Sequence, residues 1–248
     1  MNIFAVADLH LSHARPKPMD IFGPHWTDHA DRLARAWDEI VSEDDVVLCP
    51  GDLSWALKLE QAAPDLAWIG DRPGRKILCR GNHDYWWSSL AKVRRALPPG
   101  CTALQNDAAD LGEVVVAGAR CWNAPGSPEF EPEDEKVYRR ELGRLKASLE
   151  AAASMANGRP ILAAIHYPPF TPNGQATGFS ELLEEYGVAL CVYGHLHGAE
   201  AHATAVEGMV RGIDYRCVAC DFTGFRPVHV YPGPAQVRKS RRKYAGSG

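Results

Sequence analysis

Short apolar runs recur along the chain at residues 3–7, 46–49, 76–79, 114–118, 161–165 and 188–193. Each has strand length and none shows the polar alternation of a half-exposed strand, so each is expected to be covered on both faces. Stripes with helical spacing lie between them. Ala30, Leu33, Ala34, Trp37, Ile40 and Val41 form one, with Thr27 placed to cap it. Residues 62–69, 90–97 and 182–186 read as shorter helices. Tyr138, Leu142, Leu145 and Leu149 mark the longest, opened by the acidic run at 131–135. This alternation predicts βαβ units and an α/β fold. Beyond residue 200 the pattern becomes strand-like pieces at 209–213, 215–219 and 228–231, separated by Gly, Asp and Pro, which predicts an antiparallel end. No repeat or linker divides the chain, so one domain is expected over residues 1–237. Two proline-containing stretches, 13–26 and 122–132, read as long loops of the kind that cover sites.

Composition narrows the classes. The 248 residues are 46% hydrophobic, and the 22 Gly and 18 Pro are dispersed, which excludes fibrous and disordered readings. No apolar run approaches the roughly 20 residues that span a bilayer. Asp8 and His10 interrupt the first run too early for a secretory leader, so a cytoplasmic protein is expected. Seven cysteines, an odd number set singly in apolar runs, read as reduced packing residues. Cys217 and Cys220 have metal-site spacing but no second pair, and a strand would turn them to opposite faces. The net charge of −4 includes five positive charges at residues 238–243, leaving an acidic body that argues against nucleic-acid binding. The basic stretch 238–248 is expected to be a flexible, solvated tail.

Polar residues collect directly behind the apolar runs. Asp8 and His10 follow the first, Asp52 the second, and Asn82, His83 and Asp84 the third; His166 and then His195 and His197 follow the last two. Ligands of open α/β sheets bind beyond the carboxyl ends of strands, so these clusters should converge. Carboxylates, imidazoles and one amide, with no thiolate, suit Mn, Fe or Zn, and seven donors are too many for one tetrahedral ion. Two metal ions are expected.

The motifs Asp8-Leu9-His10, Gly51-Asp52, Gly81-Asn82-His83-Asp84, His166 and Gly194-His195-Leu196-His197 resemble those of calcineurin-like metallophosphoesterases. The resemblance implies a four-layer α-β-β-α sandwich of two mixed sheets. It also implies that Asp8, His10 and His197 hold one ion, that Asn82, His166 and His195 hold the other, and that Asp52 bridges them, for which a carboxylate can give one oxygen to each. The activity implied is phosphoester hydrolysis by a metal-bridging hydroxide, with His83 as general acid and Asp84 orienting it. The residues after Asp52 differ from those of Ser/Thr protein phosphatases, and the Asn82-His83 pair keeps the acid typical of phosphodiesterases. The chain also resembles a group of small bacterial predicted phosphohydrolases, for which the resemblance supplies no substrate. A small phosphodiester is the expected substrate, with a monoester of a small metabolite as the alternative and a non-catalytic scaffold as the reading from another class. Around the centre, Arg80, Tyr85, Trp86, Asn123 and Tyr167 are candidate substrate contacts. Tyr85, Trp86, Trp87 and Trp55 form a possible aromatic wall, with core packing as the competing role.

Overall fold

The computed structural model describes residues 1–232, so the basic tail at 238–248 lies outside the described residues. Strands β1 (Ile3–Ala5), β2 (Val46–Pro50), β3 (Arg75–Cys79) and β4 (Cys101–Ala103) run parallel, and β11 (Val228–Tyr231) pairs antiparallel with β1, in the order β11-β1-β2-β3-β4. A second sheet follows the order β5-β6-β7-β8-β10-β9. Its strands are β5 (Ala108–Asp110), β6 (Val115–Ala119), β7 (Ile161–Ile165), β8 (Leu190–Tyr193), β9 (Gly208–Val210) and β10 (Ile213–Cys217). The inner four of these are parallel and both edges antiparallel.

Strand periodicity explains why the apolar runs are unbroken. Phe4, Val47, Cys49 and Leu78 face outward from the first sheet, under helices α1 (His29–Ile40), α2 (Leu59–Gly70) and α3 (Leu90–Ala96). Their neighbours Ile3, Ala5, Leu48 and Ile77 face the second sheet and meet Val116, Leu162, Ala164 and Val192. The opposite face of that sheet, with Ala117, Ala163, Ile165 and Cys191, packs against α4 (Glu135–Ala156) and α5 (Gly178–Glu185). Helices therefore cover two mixed sheets stacked face to face, and every central strand is buried twice. The stacking is tight. A Cβ on Gly118 would fall 2.6 Å from Cys79 Sγ, so glycine is what lets β6 and β3 approach there.

Three expectations need correction, and two strands had not been foreseen. The end beyond residue 200 is not simply antiparallel, because β10 pairs parallel with β8 while only β9 and β11 run the other way. Thr27 does not cap α1. A 3₁₀ turn at Pro24–Trp26 takes Thr27 as its own C-cap, and Asp28, in the left-handed region, precedes the helix. Helix α5 begins at Gly178 rather than 182, since Thr177 and Ser180 form a reciprocal capping box. The three-residue strands β4 and β5, at sheet edges, gave no apolar signal. The cysteine reading agrees with the fold: all seven are free, and Cys217 and Cys220 lie in different core layers.

Candidate metal centre

At the carboxyl ends of β1, β2, β3, β7 and β8 the chain brings Asp8, His10, Asp52, Asn82, His166, His195 and His197 into one contiguous cluster. The local backbone is unusual. Asp8, His10, Asp52 and His195 all have positive φ, between 45° and 74°, a conformation most side chains avoid. It is held by the ladder beyond the strands, where the Asp8 and His10 N–H groups donate to the Gly51 and Asp52 carbonyls at 3.0 Å each. The two sheets meet at the same place, with the Ala7 N–H donating to Val218 O at 2.7 Å.

Second partners orient the donors. Asp52 Oδ1 accepts the His83 backbone N–H at 2.8 Å, which leaves Oδ2 facing His10 Nε2 at 3.8 Å and His166 Nε2 at 3.5 Å. One oxygen of Asp52, not one on each side, thus looks toward both halves of the cluster. His166 Nδ1 is 3.0 Å from Pro50 O and can only donate there, so Nε2 keeps its lone pair. That lone pair points at Asn82 Oδ1, another acceptor, 2.7 Å away. His197 repeats the pattern: Nδ1 faces Asp221 Oδ1 at 2.9 Å, and Nε2 faces His10 Nε2 at 3.2 Å and Asp8 Oδ1 at 3.7 Å.

Burial dominates the electrostatics. It pushes His166 down to about 3 and depresses His10 and His195, keeping all three imidazoles neutral at ordinary pH. It also raises Asp8 and Asp52 above the usual carboxylate range. Burial works against charging His197 too, but the Asp221 hydrogen bond and the Asp8 and Asp52 charges raise it to about 9. Converging acceptors, neutral imidazoles and carboxylates short of counter-charge are the donor chemistry a cation satisfies. The proton drawn onto His197 supplies part of that charge. Among the described residues two groups have donor atoms close enough to hold an ion, Asp8 with His10 and His197, and Asp8 with Asp52 and His166.

Two residues behave differently from expectation. Asp84 does not orient His83. Its buried carboxylate accepts the N–H groups of Leu53, Ser54 and Gly81 and the Trp86 indole N–H, tying the turn after β2 to the turn after β3, while His83 Nδ1 has no partner. Trp86 is not a substrate contact, because that hydrogen bond and full burial place it in the core with Trp87. Among the aromatic rings at the centre, Trp55 stacks on His10 at 4.8 Å and lies 4.4 Å from His83, with Lys17 Nζ 3.0 Å from its centroid. Tyr85 is exposed 6.1 Å from the His83 ring. Arg80 is partly buried with Nε unpartnered, Tyr167 lies against His195 at 4.0 Å, and Asn123 lines the adjoining cavity.

Asp221 was missed by sequence reading. It follows the strand-like piece 215–219 just as the other polar residues follow their strands, and that rule applied once more would have found it. Arg120, directly behind β6, was missed for the same reason; it pairs with buried Glu141 at 3.0 Å and lies over Trp122 at 4.4 Å.

Comparison with known proteins gives three findings. The model of the calcineurin-like phosphoesterases matches residues 1–199. The Gene 66 proteins of Mycobacterium phages L5 and D29 are 41% identical over 83 residues and 43% over 84, in each case 34% of this chain. The match spans 40% of the length of those curated relatives. The phosphopantetheinyl hydrolase of Mycobacterium tuberculosis is similar in fold, with a TM-score of 0.57 over 94% of this chain and 96% of that one, at 14% identity.

Proposed function

The chain belongs to the calcineurin-like phosphoesterase family, and from that premise we propose that it is a metal-dependent phosphoester hydrolase with a two-ion centre and a preference for diesters. Asp8, His10 and His197 would hold one ion and Asn82, His166 and His195 the other, with Asp52 shared. The observation that carries this reading is the single Asp52 oxygen facing His10 and His166 from between the two halves. Bound there, the ions would supply positive charge to the phosphoryl oxygens and lower the pKa of water to the neutral range.

The remaining steps belong to the protein. Pro50 and Asp221 fix which nitrogen of His166 and His197 turns inward, so no reorientation precedes binding. His83 is held by packing against Trp55 rather than by a hydrogen bond at Nδ1, and burial lowers its pKa. Its Nδ1 is therefore not committed to another protein group, and the imidazolium, which burial disfavours, would pass its proton readily to a departing alkoxide. An acid in this place matters most for poor alkoxide leaving groups, and the preference for diesters rests on the resemblance of the Asn82-His83 pair to phosphodiesterases.

The test is hydrolysis of bis-p-nitrophenyl phosphate against p-nitrophenyl phosphate by metal-stripped protein reloaded with Mn²⁺, with Asp52→Asn as the contamination control. Faster Mn²⁺-dependent cleavage of the diester, lost in the variant, is expected. A monoester preference would remove the diester assignment, and no metal-dependent turnover of either would remove the hydrolase reading.

A further inference from the structure

A cavity of about 500 Å³ opens beside His195 and His197. Its walls include Trp122, Tyr167, Phe170 and Tyr193; among the described residues its only carboxylates are the exposed Glu129 and Glu200, and no Lys or Arg lines it. The walls are fixed in advance. Trp122 packs on Tyr167 at 5.1 Å and its indole N–H donates to Asp134 at 2.8 Å, while Phe170 stands edge-on to Tyr215 at 4.9 Å. The Tyr193 hydroxyl donates to Val206 O at 2.9 Å.

The cations lie elsewhere. Lys17 sits over Trp55, a ring that contacts His10 and His83, and Arg120 is engaged by Glu141 and by Trp122. Away from the His195 and His197 end, where the ions would sit, an anionic group entering the cavity would find no lysine or arginine among the described residues and would meet two carboxylates. Apolar rings with a few polar groups among them, in a cavity of this size, suit a neutral organic group of small-molecule dimensions. Resting on the phosphoester reading above, we infer that this cavity is a specificity site for an uncharged, ring-bearing arm of the ester, and that it rejects substrates whose arm carries a second anion.

The experiment uses three p-nitrophenyl phosphodiesters whose second arm is methyl, phenyl or carboxyphenyl, assayed with the Mn²⁺-loaded full chain. The expected kcat/KM is about tenfold or more higher for phenyl than for methyl, since ring burial contributes that much, and for carboxyphenyl it falls back to the methyl level or below. Trp122→Ala should collapse the phenyl-to-methyl ratio toward one. Glu129→Lys combined with Glu200→Lys should raise carboxyphenyl relative to phenyl. Equal wild-type rates for methyl and phenyl, or for phenyl and carboxyphenyl, would overturn the inference while leaving the hydrolase reading in place; these comparisons need no variant to fold. Absence of Mn²⁺-dependent turnover of the methyl ester would overturn both.

Discussion

The two sheets bring different chemistry to the seam where they meet. Behind β1, β2 and β3 the first sheet supplies both carboxylates and the amide of the cluster, Asp8, Asp52 and Asn82, together with His10. Behind β7 and β8 the second sheet supplies imidazoles alone, His166, His195 and His197. Anchoring differs accordingly. The carboxylates are held by backbone N–H groups, His83 to Asp52 and His195 to Asp8, whereas two of the imidazoles are held through a ring N–H turned toward Pro50 O or Asp221. One side thus governs charge and the other governs orientation, and loss of charge should cost more than loss of orientation.

The largest effect is expected from Asp52→Asn. The replacement keeps the shape and an oxygen for the His83 N–H but removes the charge facing His10 and His166. Metal content after gel filtration should fall for both ions, and turnover should drop to background. Full retention of either ion would break the claim that this side neutralises both. His83→Ala tests a first-sheet residue that contributes no ligand. It should keep both ions and lose about 10²–10⁴-fold on alkyl esters while losing far less on nitrophenyl esters; equal losses would show that His83 is not the acid.

On the second sheet, Asp221→Ala removes the partner of His197 Nδ1 without touching a donor. Loss of such a support typically costs about 10–100-fold in metal affinity, and calorimetric titration should show it for one ion of the two. Asp221→Asn, which keeps an acceptor oxygen, should lose less. A loss shared equally by both ions would mean that Asp221 acts on charge rather than orientation.

How much of this was legible follows from the same division. The strand cores announced themselves because double burial leaves no polar alternation, and the cluster residues because each stands directly behind such a run. What escaped was set by tertiary context. Asp221 is the exception, since it stands behind the strand-like piece 215–219 and the same rule reaches it, although that strand joins the sheet parallel to β8 where the segment reads as a meander. The partners of Asp84 come from two turns, 30 and 31 residues away in the case of Ser54 and Leu53, which no local pattern encodes. Trp86 and Trp55 are alike as sequence and both are buried, and only the packing puts Trp86 beside Trp87 and Trp55 against His10. The left-handed backbone at Asp8, His10, Asp52 and His195 has no glycine to signal it.

In metal-free protein His166 and the two carboxylates titrate with opposite sign. His166, depressed to about 3, binds fewer protons folded than unfolded, so its contribution to stability is complete above its ordinary value of 6.5 and is lost as pH falls toward 3. Asp8 and Asp52 are raised, so theirs is complete below the ordinary carboxylate value and is lost as pH rises through the folded values. The stability difference between wild type and His166→Gln, from urea unfolding, should therefore shrink between pH 7 and pH 4. For Asp8→Asn it should move the other way. Parallel changes would show that the cluster titrates as one unit rather than group by group.

The smallest effect should come from support of the chain behind His166. Thr177 accepts the Phe179 N–H at 3.2 Å as the cap of α5, and its hydroxyl donates to Pro169 O at 2.7 Å. One buried side chain therefore starts the helix and pins the segment that carries Phe170 into the cavity wall. Thr177→Ala removes both bonds and should cost about 1 kcal/mol, or up to about 2, in chemical denaturation. Thr177→Ser should restore most of it, since the hydroxyl is the shared element and the methyl is not. Because Thr177 orients and carries no charge, metal content should stay unchanged in both variants. A fall in bound metal with Thr177→Ala would mean that the position of His166 depends on this loop, and that orientation on the second sheet is less local than its two ring hydrogen bonds imply.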